Sequence, residues 1–259
     1  MQSEVSVQII VVDDGSTDGS DRVAIECACT DPRISIIRQP HLGASRARNA
    51  GTSNAHGRYI QYLDADDILE PDTLRMRVSA LEQSGADVAY SDWSVWSCDG
   101  DGSFRISGVS RNQMGQRPDI QLLAQAFWPP GALLYRREFV ERLGLWDEAL
   151  FIAHDVDFLV RSALMGAQFV HVSVPGLKYR VDWTSSLSRS DPCRFVGEYY
   201  RIAVSVQTAW EAAGKLDSRQ REALVGVLWH VCRASPDSAV VIEARGRIES
   251  LMAAGAYGS

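Results

Sequence analysis

Lysine is almost absent from this 259-residue chain. Lys178 and Lys215 are the only two, and arginine supplies the rest of the 26 basic residues. Against 33 acidic residues they leave a formal net charge of −7, so the basic face of a nucleic-acid binder is missing. No apolar run approaches the roughly 20 residues of a membrane-crossing helix. Met1-Gln2-Ser3-Glu4 has no basic segment followed by an apolar one, so no signal peptide is read there. The five cysteines (Cys27, Cys29, Cys98, Cys193 and Cys232) are odd in number and lack zinc-ligand spacing, which points to reduced thiols in a cytoplasmic protein. Repeats and low-complexity segments are missing too. What remains is ordinary globular composition, 46% hydrophobic and 23% charged. The length suits one large domain, or one domain with a small appendage. The arginine bias suits planar, bidentate contact with phosphate, although genome composition explains it at least as well.

The first half alternates strand and helix signals. Strands are expected at Val5–Val12, Ile34–Arg38, Tyr59–Leu63 and Asp87–Ser91, with helices at Ser20–Cys29 and Ala44–Ala55. A third helix opens at Pro71, buries Leu74, Val78 and Leu81, and closes at Gly85. This alternation argues for an α/β sheet with crossovers. The middle is less regular: Ser97–Gly108 reads as an exposed hairpin or loop, and Trp128-Pro129-Pro130-Gly131 as a break before a strand at Ala132–Tyr135. A helix at Asp155–Met165 and a strand at Phe169–Val174 follow. From about Pro192 helical spacing returns, in Phe195, Ile202, Val206 and Trp210 and again in Leu224, Leu228 and Val231. We therefore divide the chain into a domain at 1–190 and a helical region at 191–259.

Chemistry concentrates at strand ends. Leu63-Asp64-Ala65-Asp66-Asp67 places three carboxylates within four residues where an apolar strand stops. Ligands of open α/β sheets bind outside the carboxyl ends of strands. Carboxylates bunched there repel one another unless a cation joins them. Mg²⁺ or Mn²⁺ is the natural occupant, shared with substrate phosphates. An Asp-x-Asp alone is usually a solvated turn; the preceding strand and the third carboxylate raise its value. Asp66 is the better metal ligand, Asp64 can bridge metal and ribose, and Asp67 either joins them or caps the next turn. Upstream, Val11-Val12-Asp13-Asp14-Gly15-Ser16 repeats the pattern. Gly15 with Ser16, Thr17 or Asp18 explains a turn and a helix cap. Two adjacent Asp at a buried strand end are left for the imide of uracil or the hydroxyls of a ribose.

Gly43-Ala44-Ser45-Arg46-Ala47-Arg48-Asn49 puts two arginines at a helix start, where anions bind. One can face a nucleotide; Arg46 is read as the solvated one. His154-Asp155-Val156-Asp157 is a third acidic cluster. Asp155 is either a helix cap or a general base toward a sugar hydroxyl. Asp157 is expected to turn outward or cap the same helix, and His154 to be a supporting donor or simply exposed. His41, His56, His171 and His230 show no ligand spacing. Trp93, Trp96 and Trp128 serve either as sugar platforms or, by default, as core.

Four motifs taken in order, VVDDGSTDGS at Val11–Ser20, GASRARNAG at Gly43–Gly51, YIQYLDADD at Tyr59–Asp67 and HDVDFLVR at His154–Arg161, resemble a family 2 glycosyltransferase. The resemblance runs from about Val5 to about Leu187, with support from ALLYRREFVERLGLWDE at Ala132–Glu148 and KYR at Lys178–Arg180. It implies a GT-A fold, a Rossmann-related mixed sheet flanked by helices. It implies that Asp14, with Asp13 beside it, meets the base and that Arg48 lies near base and diphosphate. Asp64 and Asp66 then form the family's Asp-x-Asp, and Asp155 is the catalytic base of an inverting transfer from a nucleotide-diphosphate sugar, a UDP-sugar by preference. The acceptor would be a saccharide or lipid-linked hydroxyl in bacterial surface polysaccharide or glycolipid synthesis. The work would be cytoplasmic, with peripheral contact at the inner face of the membrane left open.

Three departures shape the expectations. His154 stands where the family has Glu before the base. No His follows Tyr179-Arg180, so Asp182 either substitutes as a metal contact or that contact is lost. The family also opens with a further strand and helix that this sequence does not show, its Met1 lying just before the family's second strand. The strand at Val5–Val12 must then pair directly with Tyr59–Leu63 or leave two open edges. The alternative to an active enzyme is a truncated relic that binds nucleotide sugar weakly or not at all. Gln-x-x-Arg-Trp is missing, which favours single addition over processive synthesis. A sugar nucleotidyltransferase would want a Gly-rich basic loop near the N-terminus, and none is present.

Overall fold

The computed structural model describes residues 5–98, 103–124, 127–181, 191–214 and 216–256. The chain forms two compact units. The first comprises 1–112, 128–154 and 167–181, and the second 113–127, 155–166 and 182–259. Asp182 and the tip of the Ser97–Gly108 segment lie outside the described residues.

The first unit opens with β1 (Ile9–Asp13), α1 (Ser20–Thr30), β2 (Ile34–Arg38) and α2 (Ala44–Ser53). β1 and β2 pair in parallel, Ile9 against Ile34 through Asp13 against Arg38, and form a sheet of their own. α2 packs on β1 at a small residue: a Cβ on Gly51 would sit 3.6 Å from Val12 Cγ2. The side chain of Gln8 ties the start of β1 to the end of α2, donating to Asn54 O at 3.0 Å and accepting from His56 N at 2.9 Å.

The second sheet of this unit holds β3 (Tyr59–Gln61), β4 (Ile68–Leu69), β5 (Val88–Cys98), β6 (Phe104–Ser110), β7 (Leu133–Arg136) and β8 (Phe169–Val181). Its order is β3-β7-β5-β8-β4, with β6 also on β5. β5 and β8 are parallel; the other pairs are antiparallel. α3 (Thr73–Ser84) covers one face, where Leu74 and Leu81 meet Ala86, Ala89 and Leu134. α5 (Arg137–Leu143) follows β7 directly.

Of the two alternatives for Val5–Val12, direct pairing with Tyr59–Leu63 does not form and the open edges remain. Among the described residues β1 pairs with β2 alone and β3 with β7 alone, so each strand keeps one open edge. The sheet read from the alternation is thus two sheets. The apolar run Ile9-Ile10-Val11-Val12, which reads as a strand with a buried end, is only half-buried. Trp93 and Trp128 are core residues, as their default reading has it, while Trp96 is half-buried under Lys178 Nζ, 4.8 Å from its ring.

The second unit is helical: α4 (Pro118–Leu123), most of α6 (His154–Leu164), α7 (Pro192–Ala213), α8 (Ser218–Ala234) and α9 (Ser238–Ala256). Ile202, Val206 and Trp210 of α7 and Leu224, Leu228 and Val231 of α8 form its buried stripes, as their spacing predicts, whereas Phe195 is only half-buried and its neighbour Val196 takes the buried place. Asp217 and Gln220 close a reciprocal capping box at the start of α8. Arg117 joins Asp119 and Asp217 at 3.0 and 2.8 Å, and Trp210 Nε1 donates to Asp119. No described helix is long and apolar enough to cross a membrane. All five cysteines are free.

Candidate active site

The acidic turn after β3 is built by its neighbours. Asp67 N donates to Asp64 O at 3.1 Å and closes the turn. Asp67 does not cap the next turn. It is buried, and its Oδ1 accepts from Arg180 N of β8, 113 residues away, at 3.0 Å. Its Oδ2 is buried without a hydrogen-bond partner. Burial pushes this carboxyl up to about 7; Asp64 and Asp66 push the same way and Arg180 opposes them. Asp66 is exposed by area yet crowded, and desolvation followed by the charge of Asp64 raises its carboxyl too.

Asp64 is held from the side by α2. Arg48 Nη2 donates to Asp64 Oδ1 at 2.6 Å, and the Arg48 guanidinium lies over the ring of Trp146, 4.5 Å from its centroid. Arg48 Nη1 is buried and makes no hydrogen bond. Arg46 is exposed and pairs with Glu148 at 2.7 Å, as expected of the solvated member. Behind Arg48 the ring of Tyr62 meets Trp146 edge-on at 4.9 Å, and its hydroxyl lies 2.9 Å from Thr52 Oγ1. Burial raises the Tyr62 phenol above its usual range.

Asp13 and Asp14 work on their own loop. Asp13 Oδ1 accepts from Ser16 N at 3.0 Å. Asp14 accepts from Gln39 Nε2, Leu42 N and Gly43 N at 2.6, 2.9 and 2.8 Å, clamping the segment that opens α2. These bonds outweigh desolvation and hold the Asp14 carboxyl below its ordinary value. Gly15, at φ +78°, passes so close to His41 that a Cβ would meet its backbone N at 2.9 Å. Neither bulk nor ordinary backbone geometry would fit there.

Asp155 belongs to the second unit. It stands inside the first turn of α6 rather than at its cap, and Oδ1 accepts from Val156 N at 2.8 Å. Asp157 pairs with Arg161 one turn on, at 2.7 Å. His154 is buried, not exposed, its Nδ1 3.2 Å from Phe151 O and its ring 6.1 Å from Trp146.

Sequence reasoning passed over Asn49, Trp146 and Tyr62. Asn49 grips the backbone of Trp146 on both sides, Nδ2 to O at 3.0 Å and Oδ1 from N at 2.9 Å. A buried-face Asn beside a helix arginine was the available signal.

The chemistry of this corner fits a divalent cation. Three carboxylates follow one another along one turn, burial and then neighbouring charge raise two of them, and one oxygen is orphaned. Among the described residues no three His, Cys, Asp or Glu side chains converge as a protein-only cage. A cation on Asp64 and Asp66 would therefore complete its shell with phosphate oxygens and water.

Residues 2–144 match the family model described as glycosyl transferase family 2. The chain is 32% identical over 194 residues to the succinoglycan biosynthesis protein ExoO of Rhizobium meliloti, covering 70% of this chain and 54% of that protein. It is 31% identical over 183 residues to the uncharacterized glycosyltransferase EpsJ of Bacillus subtilis, covering 68% and 53%. The chain thus spans about half the length of these relatives. Among solved structures, S. aureus TarS 1-349 in complex with UDP superposes with a TM-score of 0.63 at 17% identity, covering 96% of this chain and 82% of that one. The same protein in complex with UDP-GlcNAc gives 0.61 at 16%. The fold is of this GT-A-like α/β type.

Proposed function

The chain belongs to glycosyl transferase family 2, and from that premise we propose that it moves a sugar, with inversion, from a nucleotide-diphosphate sugar to an acceptor hydroxyl. The observation that carries the reading is the acidic turn at Asp64–Asp67, with its orphaned oxygen and its Arg48 partner, at the end of β3. UDP and UDP-GlcNAc in complexes of the structural neighbour support a UDP-sugar donor. The polysaccharide role named for one relative supports a saccharide or lipid-linked acceptor of the bacterial surface. We place the catalytic machinery in 1–190, leave 191–259 as a helical appendage, and place the protein in the cytoplasm, with peripheral contact at the inner face of the membrane.

Asp66 and Asp64 would hold Mg²⁺ or Mn²⁺, which when bound neutralises charge on the diphosphate. Arg48 orients Asp64 and adds positive charge beside the nucleotide. Asp13 and Asp14 shape the loop that meets the base. Asp155 takes the proton of the acceptor hydroxyl as its oxygen bonds to the anomeric carbon and the nucleoside diphosphate departs. A second reading, weak nucleotide binding without turnover, draws on Asp13 and Asp14, whose carboxylates are already engaged by Ser16, Gln39, Leu42 and Gly43.

Calorimetry with UDP and MnCl₂, run beside a donor-hydrolysis and transfer assay, tests both. Asp66→Ala is expected to abolish transfer with the fold intact. Asp155→Asn is expected to bind UDP normally while turnover falls by roughly 10²–10⁴-fold. Near wild-type activity of Asp66→Ala in EDTA would overturn the metal assignment, and equal loss of UDP binding in Asp155→Asn would make that residue structural. Binding without any turnover in the wild type would favour the second reading.

A further inference from the structure

Arg48 is a long, rotamer-rich side chain, and a guanidinium left to itself would not hold Asp64 in one orientation. Here it is fixed from below. Trp146 is 3% exposed and offers its ring face 4.5 Å from the guanidinium carbon. The indole is itself immobilised. Asn49, buried one position along from Arg48 on α2, bonds to both the N and the O of Trp146. Tyr62, just after β3 on the way into the acidic turn, packs edge-on against the ring at 4.9 Å. Thr52, one helical turn beyond Arg48, bonds to Arg48 O at 2.8 Å and lies against the Tyr62 hydroxyl at 2.9 Å. The relay therefore runs from Asn49 and Tyr62 through the Trp146 ring to Arg48 and from there to Asp64 at 2.6 Å.

We infer that Trp146 is a positioning residue for nucleotide binding, acting through the face of its ring on Arg48 and through Arg48 on Asp64. This rests on the reading of Asp64 as part of the nucleotide and cation site. A cation stacked on a desolvated indole gains from the ring quadrupole as well as from contact. Leucine keeps apolar bulk and removes the face; phenylalanine keeps a face. Lysine at position 48 keeps the charge and loses the planar fork.

The test is a calorimetric double-mutant cycle with UDP and MnCl₂ as the probe, on Trp146→Leu, Arg48→Lys and the double variant, with Trp146→Phe and Asp64→Ala as controls. Melting temperature is read on every sample, so that lost fold is separated from lost geometry. Trp146→Leu and Arg48→Lys are each expected to weaken binding about tenfold. The double variant should be no weaker than either single one, and Trp146→Phe should stay within about threefold of wild type. Losses that multiply in the double variant, or unchanged affinity in Trp146→Leu, would overturn the inference while Asp64→Ala still fails to bind. Should Asp64→Ala bind UDP and manganese as well as wild type, or wild type not bind at all, the parent reading falls and the inference with it.

Discussion

Two regions of the first unit are made of similar strands and end up in different physical states. β1 is Ile-Ile-Val-Val-Asp, with one hydrogen-bonded neighbour, and all five residues are half-buried. β5 carries β7 and then β6 on one edge and β8 along the other, and its residues from Val88 to Ser94 are buried. The helices follow suit. α1 buries none of its residues and leaves Val23 60% exposed, whereas α3 buries Thr73, Leu74, Arg77 and Leu81. Apolar sequence makes a strand, but the number of packed neighbours makes a core. Stability should be graded across the unit accordingly, low around β1 and α1 and high around β5 and β8.

The most severe way to break the central region is at Arg77. Its side chain is fully buried, and the partners it has among the described residues are neutral. It donates to Gln61 Oε1, Gly131 O and Ser91 Oγ at 2.6, 2.9 and 2.7 Å, stitching α3 to β3, β5 and the turn before β7. Gly176 of β8 comes so near that a Cβ would lie 2.5 Å from Ser91 Oγ and 3.1 Å from Arg77 Nη2. Burial lowers the guanidinium to about 9, still charged at neutral pH. At about 1.5 kcal/mol for each of the three charge-assisted bonds, Arg77→Ala should cost at least about 4 kcal/mol in urea unfolding. A loss below about 1 kcal/mol would mean that Arg77 is not the joint of this region.

Asp67 gives the next largest effect, and its sign is unusual for a carboxylate. Burial lifts the Asp67 carboxyl to about 7 in the folded chain, above the ordinary aspartate value of 3.8. Between those values the folded chain keeps a proton that the unfolded chain has released, so stability falls as pH rises from about 4 to about 7 and is level above. In EDTA, Asp67→Asn should remove this slope and gain at most about 4 kcal/mol at pH 8, since each unit is worth about 1.4 kcal/mol. Parallel pH profiles for wild type and variant would show that the group is ionised throughout.

The mildest test compares the two regions directly. Val88→Ala deletes fully buried methyls and should cost about 2 kcal/mol, while Val11→Ala on half-buried β1 should cost about 1 kcal/mol or less. Amides of β1 and α1 should exchange with deuterium well before those of β5 and β8. Equal costs and equal exchange would show that β1 is covered as fully as the centre.

Much of this was legible in the sequence where the information is local. Ile34–Arg38 is a strand as read, Gly85 ends α3, and Leu74 and Leu81 are buried. The acidic strand end at Asp64–Asp67 also falls where the pattern places it. The misses have a common physical origin in partners distant along the chain. β5 and β8 run longer than their apolar cores because each supplies the other's hydrogen bonds, from Val88 against Phe169 to Ser97 against Val181. Asp67 looked like a cap because its real partner, Arg180 N, is a backbone group that no motif announces.

By itself, then, the order of residues determined the family, the strand ends that gather carboxylates, and the helical period of the stripes in α7 and α8, since each rests on spacing of a few residues. Only the tertiary structure decided that β1 does not pair with β3, that Arg77 is buried against Gln61, Gly131 and Ser91, and that Asn49 and Trp146 stand behind Arg48. Those outcomes depend on which surfaces meet across about 100 residues of chain, where side-chain packing and hydrogen-bond satisfaction choose the partner and local propensity has no say.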